Sequence, residues 1–433
     1  MKKKLKKLLK KQNIIYTLLC FVVVLVVMTI HLIFNFSLDL SKLFDLELFS
    51  TVVLVFICNS IALGLASYFE SKQEDEEKLT QDYNKLSTMY LKNSVLVNYA
   101  NKTASLVNIK VGRKHTKCKC EKKDGVDVYI IPAANSLLLK GKKINIIDHK
   151  DKQYILPEEI ASFRKEILRA HNYSKTYNQL NIRLDGITET ENTVDLTFSR
   201  TTYFDSLMTN RAMDFQFNGT TVRNLFEYGP FLTPLEESKL SNHLGYNGLI
   251  ETKDNYFIFI LRHKKVSVSK NTLQISVGAS LKSKYALNEK GEISKDGIIN
   301  AIREEIVDEL NLDKLERHEE RMQEIFSELS FDSIYYTYRE LVEGGKPQFV
   351  FYTKINVGLE ELKKAYSNGI SRKKIKKNSE FALKMDGYKA IFIHRNEMKD
   401  IYVSPDGFTI RGKFYKAAPT MTASYALLIK EIL

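Results

Sequence analysis

Two long stretches without a charged side chain dominate the first seventy residues. Residues 13–36 contain no Asp, Glu, Lys or Arg, and residues 48–69 lie between Glu47 and Glu70. Each exceeds the roughly 20 apolar residues with which a helix crosses about 30 Å of hydrocarbon. The first is also longer than the apolar core of about 7–15 residues found in cleaved signal peptides. We therefore expect two transmembrane helices, 13–36 and 47–69.

The charges around these stretches predict their orientation. Residues 1–12 carry seven lysines, whereas the connector 37–47 carries one lysine and three acidic residues. Because lysine-rich flanks stay on the cytoplasmic side, the sequence predicts a basic cytoplasmic N-terminus at 1–12 and a two-span protein of the cell inner membrane. Both termini would lie in the cytoplasm, and the lipid bilayer would be a partner.

The net charge of +13 raises the question of nucleic-acid binding. Seven of these charges belong to the N-terminal segment, and the rest form separate clusters along the chain. No helix-turn-helix or RNP signature accompanies them. We therefore expect no contact with a nucleic-acid duplex. A membrane surface or a small anionic ligand accounts for the basic clusters at least as well.

The rest of the chain shows three kinds of pattern. Residues 70–104 are of mixed charge, free of Pro and Gly, and predict a helical stalk. Residues 105–180 alternate short β-type runs with a helical segment and form an α/β connecting region. Residues 181–433 mix strands and helices in the manner of an α+β domain, with hairpins predicted to turn at 253–255 and at 344–345.

A cluster of carboxylates lies on a predicted helix that begins after Asp296. Glu305, Asp308 and Glu309 share one face of this helix, and Glu304 lies about 100° away. Like charges at these spacings cost a helix a few tenths of a kcal/mol per pair, on the order of 0.2–0.5 kcal/mol. The acids are either a solvated face or ligands for a divalent cation such as Mg²⁺, and their spacing leaves both possibilities open.

Residues 304–312, "EEIVDELNL", resemble the core of the Nudix box. Glu305 falls on the first Glu of that motif, and Asp308 and Glu309 fall on its paired acids. The resemblance implies that Glu305, Asp308 and Glu309 bind Mg²⁺, with Glu305 and Glu309 catalytic if the domain hydrolyses a nucleoside diphosphate linkage. "SVGASL" at 276–281 resembles the Gly-Gly loop that precedes the box, and Asp296 takes the place of the family's upstream Glu.

The motif also departs from the family. Glu304 stands where the family has Arg, Asn311 where it has Gly, and Ala279 where it has its second Gly. The acids are kept while the residues around them are altered. This pattern favours a domain that retains a nucleotide pocket over one that hydrolyses efficiently. A membrane-tethered, Mg²⁺-dependent Nudix hydrolase is the alternative.

The whole arrangement resembles the two-transmembrane Nudix-domain effectors of bacterial CBASS antiphage systems. Residues 228–248 and 270–288 of this chain are similar to segments of those effectors. The resemblance implies two N-terminal transmembrane α-helices plus a cytoplasmic α+β domain of Nudix-like αβα sandwich type at 181–433. It also implies a role in antiviral defence by abortive infection. A cyclic oligonucleotide would bind, the chain would form a homo-oligomer, and disruption of the inner membrane would kill the cell.

The nucleotide phosphates would then need basic residues near the Gly278 loop. Arg262, Lys264, Lys265 and Lys270 precede that loop along the chain. We therefore predict that these four residues and Gly278 bind the nucleotide.

Overall fold

The computed structural model describes residues 78–90, 97–100, 120–123, 126–171, 177–262, 271–315, 319–365 and 387–433. All of these residues fall in one compact unit, Gln73–Leu433. They form a mixed α/β arrangement with several sheets.

The prediction of a two-span membrane protein is corrected by this structure. Within the described residues, no helix combines the length and the apolar character needed to cross a bilayer. The longest of them, Lys295–Leu310, has 16 residues and carries charged side chains. The predicted spans 13–36 and 47–69 lie outside the described residues. The fold class with transmembrane helices and the inner-membrane location are therefore not supported. The described residues instead form a mixed α/β fold.

The strands account for most of the regular structure. In chain order they are β1 (Val97–Ala100), β2 (Cys120–Lys123), β3 (Val126–Ile131), β4 (Ala133–Leu138), β5 (Lys143–Gln153), β6 (Leu180–Glu189), β7 (Thr193–Thr202), β8 (Gly245–Thr252), β9 (Tyr256–Arg262), β10 (Leu273–Ile275), β11 (Val277–Ser280), β12 (Ile334–Glu340), β13 (Lys346–Ile355), β14 (Gly387–His394), β15 (Tyr402–Ser404), β16 (Gly407–Ile410) and β17 (Lys413–Lys416).

The helices are mostly short. In chain order they are α1 (Tyr83–Met89), α2 (Glu158–Ala161), α3 (Arg164–Ala170), α4 (Tyr203–Met208), α5 (Val222–Phe226), α6 (Ser283–Ala286), α7 (Lys295–Leu310), α8 (Glu319–Ile325) and α9 (Pro419–Ile432). Short 3-10 segments follow α4 and α7 and precede β12 and β15.

An eight-stranded sheet forms the centre of the described unit. Its order is β10-β9-β8-β13-β12-β4, with β11 paired to β8 and β14 paired to β9. Strand β13 runs parallel to β8, and β12 runs antiparallel to β13 through a turn at Gly344 and Gly345. Both glycines have positive φ (64° and 77°), which side chains disfavour, and the hairpin predicted at this point is confirmed. Three-stranded sheets β1-β3-β2, β5-β7-β6 and β15-β16-β17 complete the described strands.

The central sheet is covered by a helix on each face. Successive side chains of a strand point to opposite faces. In β9, Ile258 and Ile260 belong to the core that includes α7. Phe257 and Phe259 belong to the core that includes α9, where the ring centroids of Phe259 and Tyr425 are 6.1 Å apart. Burial on both faces explains why β9 reads as a continuous apolar run.

Helix α7 carries the carboxylates discussed above. Its apolar positions Ile298, Ile302, Ile306 and Leu310 are fully buried on one face. The helix begins two residues earlier than predicted, because the Ser294 side chain, rather than that of Asp296, caps it by accepting the Gly297 N–H (3.1 Å). It ends at Asn311, whose left-handed φ of 55° is tolerated by Asn better than by most residues.

The predicted stalk and connecting region are organised differently from the expectation. Of residues 70–104, helix α1 occupies 83–89 and strand β1 occupies 97–100, so the described part is not a continuous helix. Within residues 105–180, β4 pairs with β12 at the edge of the central sheet, and β5 pairs with β7. The chain before residue 181 thus supplies strands to the same sheets as the chain after it.

Candidate functional site

A cavity of about 380 Å³ opens beside the central sheet. Strands β8, β10, β11 and β13 contribute to its wall, together with the first residues of α9, the segment 78–83 and Glu305 of α7. The volume lies within the range of roughly 300–1,000 Å³ that small-molecule sites occupy. This cavity is called the sheet cavity below.

Amide side chains form part of its wall, where neighbouring strand residues are apolar. Asn247 on β8 donates through its amide nitrogen to Gln348 Oε1 (3.3 Å) and to Thr420 Oγ1 (3.2 Å). Gln348 on β13 donates in turn to Glu340 Oε2 (3.2 Å). Buried polar groups need such partners, so this chain of hydrogen bonds fixes the direction in which each amide points.

Cationic side chains outnumber carboxylates around the sheet cavity. Its carboxylates are those of Glu305, Glu340 and Glu343. Its cationic residues are Lys78, Arg211, Arg262, Lys282, Lys346 and Lys416. The six cationic residues outnumber the three carboxylic acid residues by three, which favours an anionic ligand.

The end of the cavity near the β12–β13 turn holds two buried carboxylates with different protonation. Burial would raise the pKa of Glu343, but Arg211 and Lys346, whose Nζ lies 3.1 Å from Glu343 Oε2, lower it. Burial and the neighbouring charge of Glu343 raise the pKa of Glu340. Two adjacent carboxylates commonly divide in this way, with one ionised and the other holding a proton.

Two histidines at the cavity are uncharged at neutral pH. Burial, with help from Lys78 and Arg211, lowers the pKa of His171 to about 3. Burial also holds the pKa of His243 well below its usual value, and its Nε2 lies 2.9 Å from the Oγ of Ser280. Ser280 and His171 line the cavity, and His243 supports the wall behind Ser280. Neither histidine adds positive charge to the site at neutral pH.

The structure brings only some of the predicted nucleotide-binding residues to this cavity. Arg262 and Gly278 line it, and Arg262 Nη1 donates to Gln274 Oε1 (2.7 Å). Lys264, Lys265 and Lys270 lie outside the described residues.

The predicted metal ligands do not converge. Glu305 lines the cavity, but its Oε2 lies 2.6 Å from the Nζ of Lys282. Asp308 is exposed, whereas Glu309 is 7% exposed and does not line the cavity. Among the residues that the structure describes, no group of three or more His, Cys, Asp or Glu side chains is placed to hold a metal ion. The three carboxylates therefore do not fit a Mg²⁺ site in this arrangement, and the roles of Glu305 and Glu309 as catalytic residues stay predictions.

Several residues of the cavity were not predicted from the sequence. Gln274, Asn247 and Gln348 each interrupt an apolar strand, in "TLQIS", "YNGLI" and "PQFVF". An amide at a position where the strand pattern predicts a buried side chain was the signal that could have found them. Lys282, Lys346 and Arg211 carry no comparable local signal, since isolated basic residues are common on protein surfaces.

Comparison with known proteins adds no family to this description. No protein-family model matches the chain, and no curated protein matches its sequence.

Proposed function

We propose that this chain is a nucleotide sensor that binds a cyclic oligonucleotide in the sheet cavity, as the receptor part of a CBASS-type antiphage effector. The excess of three cations over carboxylates in a cavity walled by amides is the observation that carries the proposal. Lysine and arginine are the common partners of phosphate oxygens. Amide side chains form the paired hydrogen bonds by which proteins recognise base edges. The resemblance of residues 304–312 to the Nudix box supports a nucleotide as the anion.

Binding is favoured over hydrolysis by the contact between Lys282 and Glu305. Hydrolysis of the Nudix type needs carboxylates that are available to a divalent cation. Here the Glu305 carboxylate is engaged by an ammonium at 2.6 Å, and Asp308 is exposed. A sensor needs only that the ligand bind one conformational state better than another.

The first prediction concerns Lys416, at the end of β17, and tests whether the cavity binds nucleotides. Isothermal titration calorimetry of the full chain with cyclic di- and trinucleotides should detect binding of at least one of them. The change Lys416→Met removes a cation from the cavity and should weaken that binding roughly tenfold, as expected for the loss of one charged hydrogen bond of about 1.5 kcal/mol.

Lys413→Met is the matched control, because Lys413 lies on the same strand, is exposed, and does not line the cavity. Its affinity should equal that of the unchanged chain. Absence of binding to every cyclic di- and trinucleotide would rule out the proposed ligand class. Equal losses in the two variants would place the ligand elsewhere.

A further inference from the structure

We infer that Gln274 and Asn247 recognise the nucleobase of the ligand, so that the wall formed by β8 and β10 reads the base while the cations bind the phosphates. This inference rests on the proposed nucleotide-sensing function. It adds specificity-determining residues to the sheet cavity.

Gln274 carries a buried donor that is unpaired within the part of the chain that the structure describes. Its side chain is fully buried on β10 between the apolar residues Leu273 and Ile275, and it lines the cavity. Its Oε1 accepts the Nη1–H of Arg262 (2.7 Å), which fixes the orientation of the amide. Its Nε2 has no hydrogen-bond partner among the described residues. Because an unpaired buried donor costs about 1–3 kcal/mol, a ligand that supplies an acceptor at this position would relieve a cost already present in the fold.

Asn247 offers a hydrogen-bond acceptor to the cavity, whereas Gln274 offers a donor. Its amide nitrogen is used by Gln348 and Thr420, so its Oδ1 is the atom available as an acceptor. Gly278 pairs with Asn247 across β8 and β11, and its lack of a side chain lets Asn247 and Met421 approach it closely. A Cβ at residue 278 would lie 3.2 Å from Asn247 Oδ1 and 2.6 Å from the terminal methyl of Met421.

A donor and an acceptor in one wall match a base edge and do not match a phosphate. Phosphate oxygens only accept hydrogen bonds at neutral pH, so they gain nothing from the carbonyl oxygen of Asn247. The edge of a nucleobase offers both kinds of group, an acceptor for Gln274 and an N–H for Asn247. Arg262, which holds Gln274 in place, joins this wall to the cationic part of the cavity.

The test is a comparison of ligands with and without a base, using the full chain. Cyclic di-AMP, cyclic di-GMP and cyclic di-UMP measure base preference, and ribose 5-phosphate reports on the phosphate contacts alone. Gln274→Met should weaken the preferred cyclic dinucleotide roughly tenfold to hundredfold and reduce discrimination between bases. The affinity for ribose 5-phosphate should not change.

A second variant keeps the assignment testable if Gln274→Met folds poorly. Gln274→Glu retains the oxygen that accepts from Arg262 and replaces the donor by a second acceptor, so it should change which base is preferred. Unchanged base discrimination in a folded variant, or an equal loss for ribose 5-phosphate, would overturn the inference while leaving the sensor function intact. Failure of the unchanged chain to bind any of the three dinucleotides and cyclic trinucleotides would overturn both.

Discussion

On the acidic helix α7, the carboxylate of Glu305 is paired with the ammonium of Lys282. The Lys282 ammonium lies 2.6 Å from Glu305 Oε2, and both side chains line the sheet cavity. Burial would lower the pKa of Lys282, but the charge of Glu305 raises it, so the lysine remains protonated beside the carboxylate. An ammonium at this position supplies the positive charge that a divalent cation would otherwise bring.

The second prediction follows from this ion pair, which supplies positive charge beside Glu305 without a metal ion. Binding of the cyclic nucleotide should be the same in EDTA and in Mg²⁺, and Lys282→Met should weaken it roughly tenfold in EDTA. Lys284→Met is the matched control, since Lys284 lies two residues away and does not line the cavity. Titration calorimetry in the two buffers measures the effect. A strong dependence of the unchanged chain on Mg²⁺ would contradict this assignment and favour a metal-assisted hydrolase.

At single residues, sequence patterns located the acidic helix but not its chemistry. The spacing of Glu305, Asp308 and Glu309 placed them on neighbouring positions of a helix, and α7 is that helix. The spacing could not show that Glu305 and Glu309 are buried while Asp308 is exposed. It also could not identify Lys282 as a partner, because that contact depends on how the chain returns from β11 to α7.

Among the elements, the segment 78–90 reaches the sheet cavity with its first residues. Residues 78–81 line it, as does Tyr83, the first residue of helix α1. Asp214 holds the segment by accepting the Thr80 N–H (2.7 Å), and Arg223 binds the same carboxylate through Nε (2.8 Å) and Nη2 (2.9 Å). Arg223 Nη1 also donates to the Tyr90 hydroxyl (3.2 Å). One buried guanidinium thus connects both ends of the segment to the core.

The third prediction concerns this anchoring. Asp214→Asn removes the charge that faces Arg223 and should lower the free energy of unfolding by about 1–3 kcal/mol. Hydrogen exchange should show faster exchange of the α1 amides than in the unchanged chain. Asp82→Asn is the control within the segment: Asp82 caps α1 by accepting the Lys85 N–H (3.0 Å), and Asn caps equally well. Unaltered exchange in Asp214→Asn would show that the segment is held by its apolar contacts instead.

Elements with local signals were predicted well, and those that depend on distant pairing were not. The hairpin at Gly344 and Gly345 follows from turn residues between two apolar runs. The predicted stalk failed at β1 because its residues pair with β3, about thirty positions later. Mixed-charge sequence without Pro or Gly favours a helix locally, and tertiary pairing overrides that preference.

At the scale of the whole molecule, the sequence did not predict which strands far apart in the chain pair with each other. Strands β8 and β13 pair in parallel although about a hundred residues separate them. The central sheet also takes β4 from the region expected to be a connector. A strand pattern identifies neither the partner of a strand nor the strand order in a sheet. The presence of both helices and strands could therefore be predicted, and the sheet topology could not.

Glu227 is buried where several of these distant segments meet. Its Oε2 accepts the Thr233 N–H (3.2 Å), and its backbone carbonyl accepts the Tyr90 hydroxyl at the end of the 78–90 segment (2.6 Å). Burial raises the pKa of Glu227 to about 7, despite the opposing effect of Arg339 from the central sheet. Between the ordinary value of 4.5 and about 7, the folded chain therefore holds a proton that the unfolded chain has already lost.

The fourth prediction is a pH dependence of the stability of the whole unit. Because the folded state binds more protons in this window, the Glu227 contribution to the free energy of unfolding is fully present below about pH 4.5 and is lost as the pH rises towards 7. Glu227→Gln cannot ionise and should be more stable than the unchanged chain by about 1–3 kcal/mol at pH 8, with no such gain at pH 4.5. Urea unfolding across this range measures the difference. The exposed Glu237→Gln should leave the profile unchanged. Parallel profiles for Glu227→Gln and the unchanged chain would contradict the prediction, because they would show that the pKa of Glu227 is the same in the folded and unfolded states.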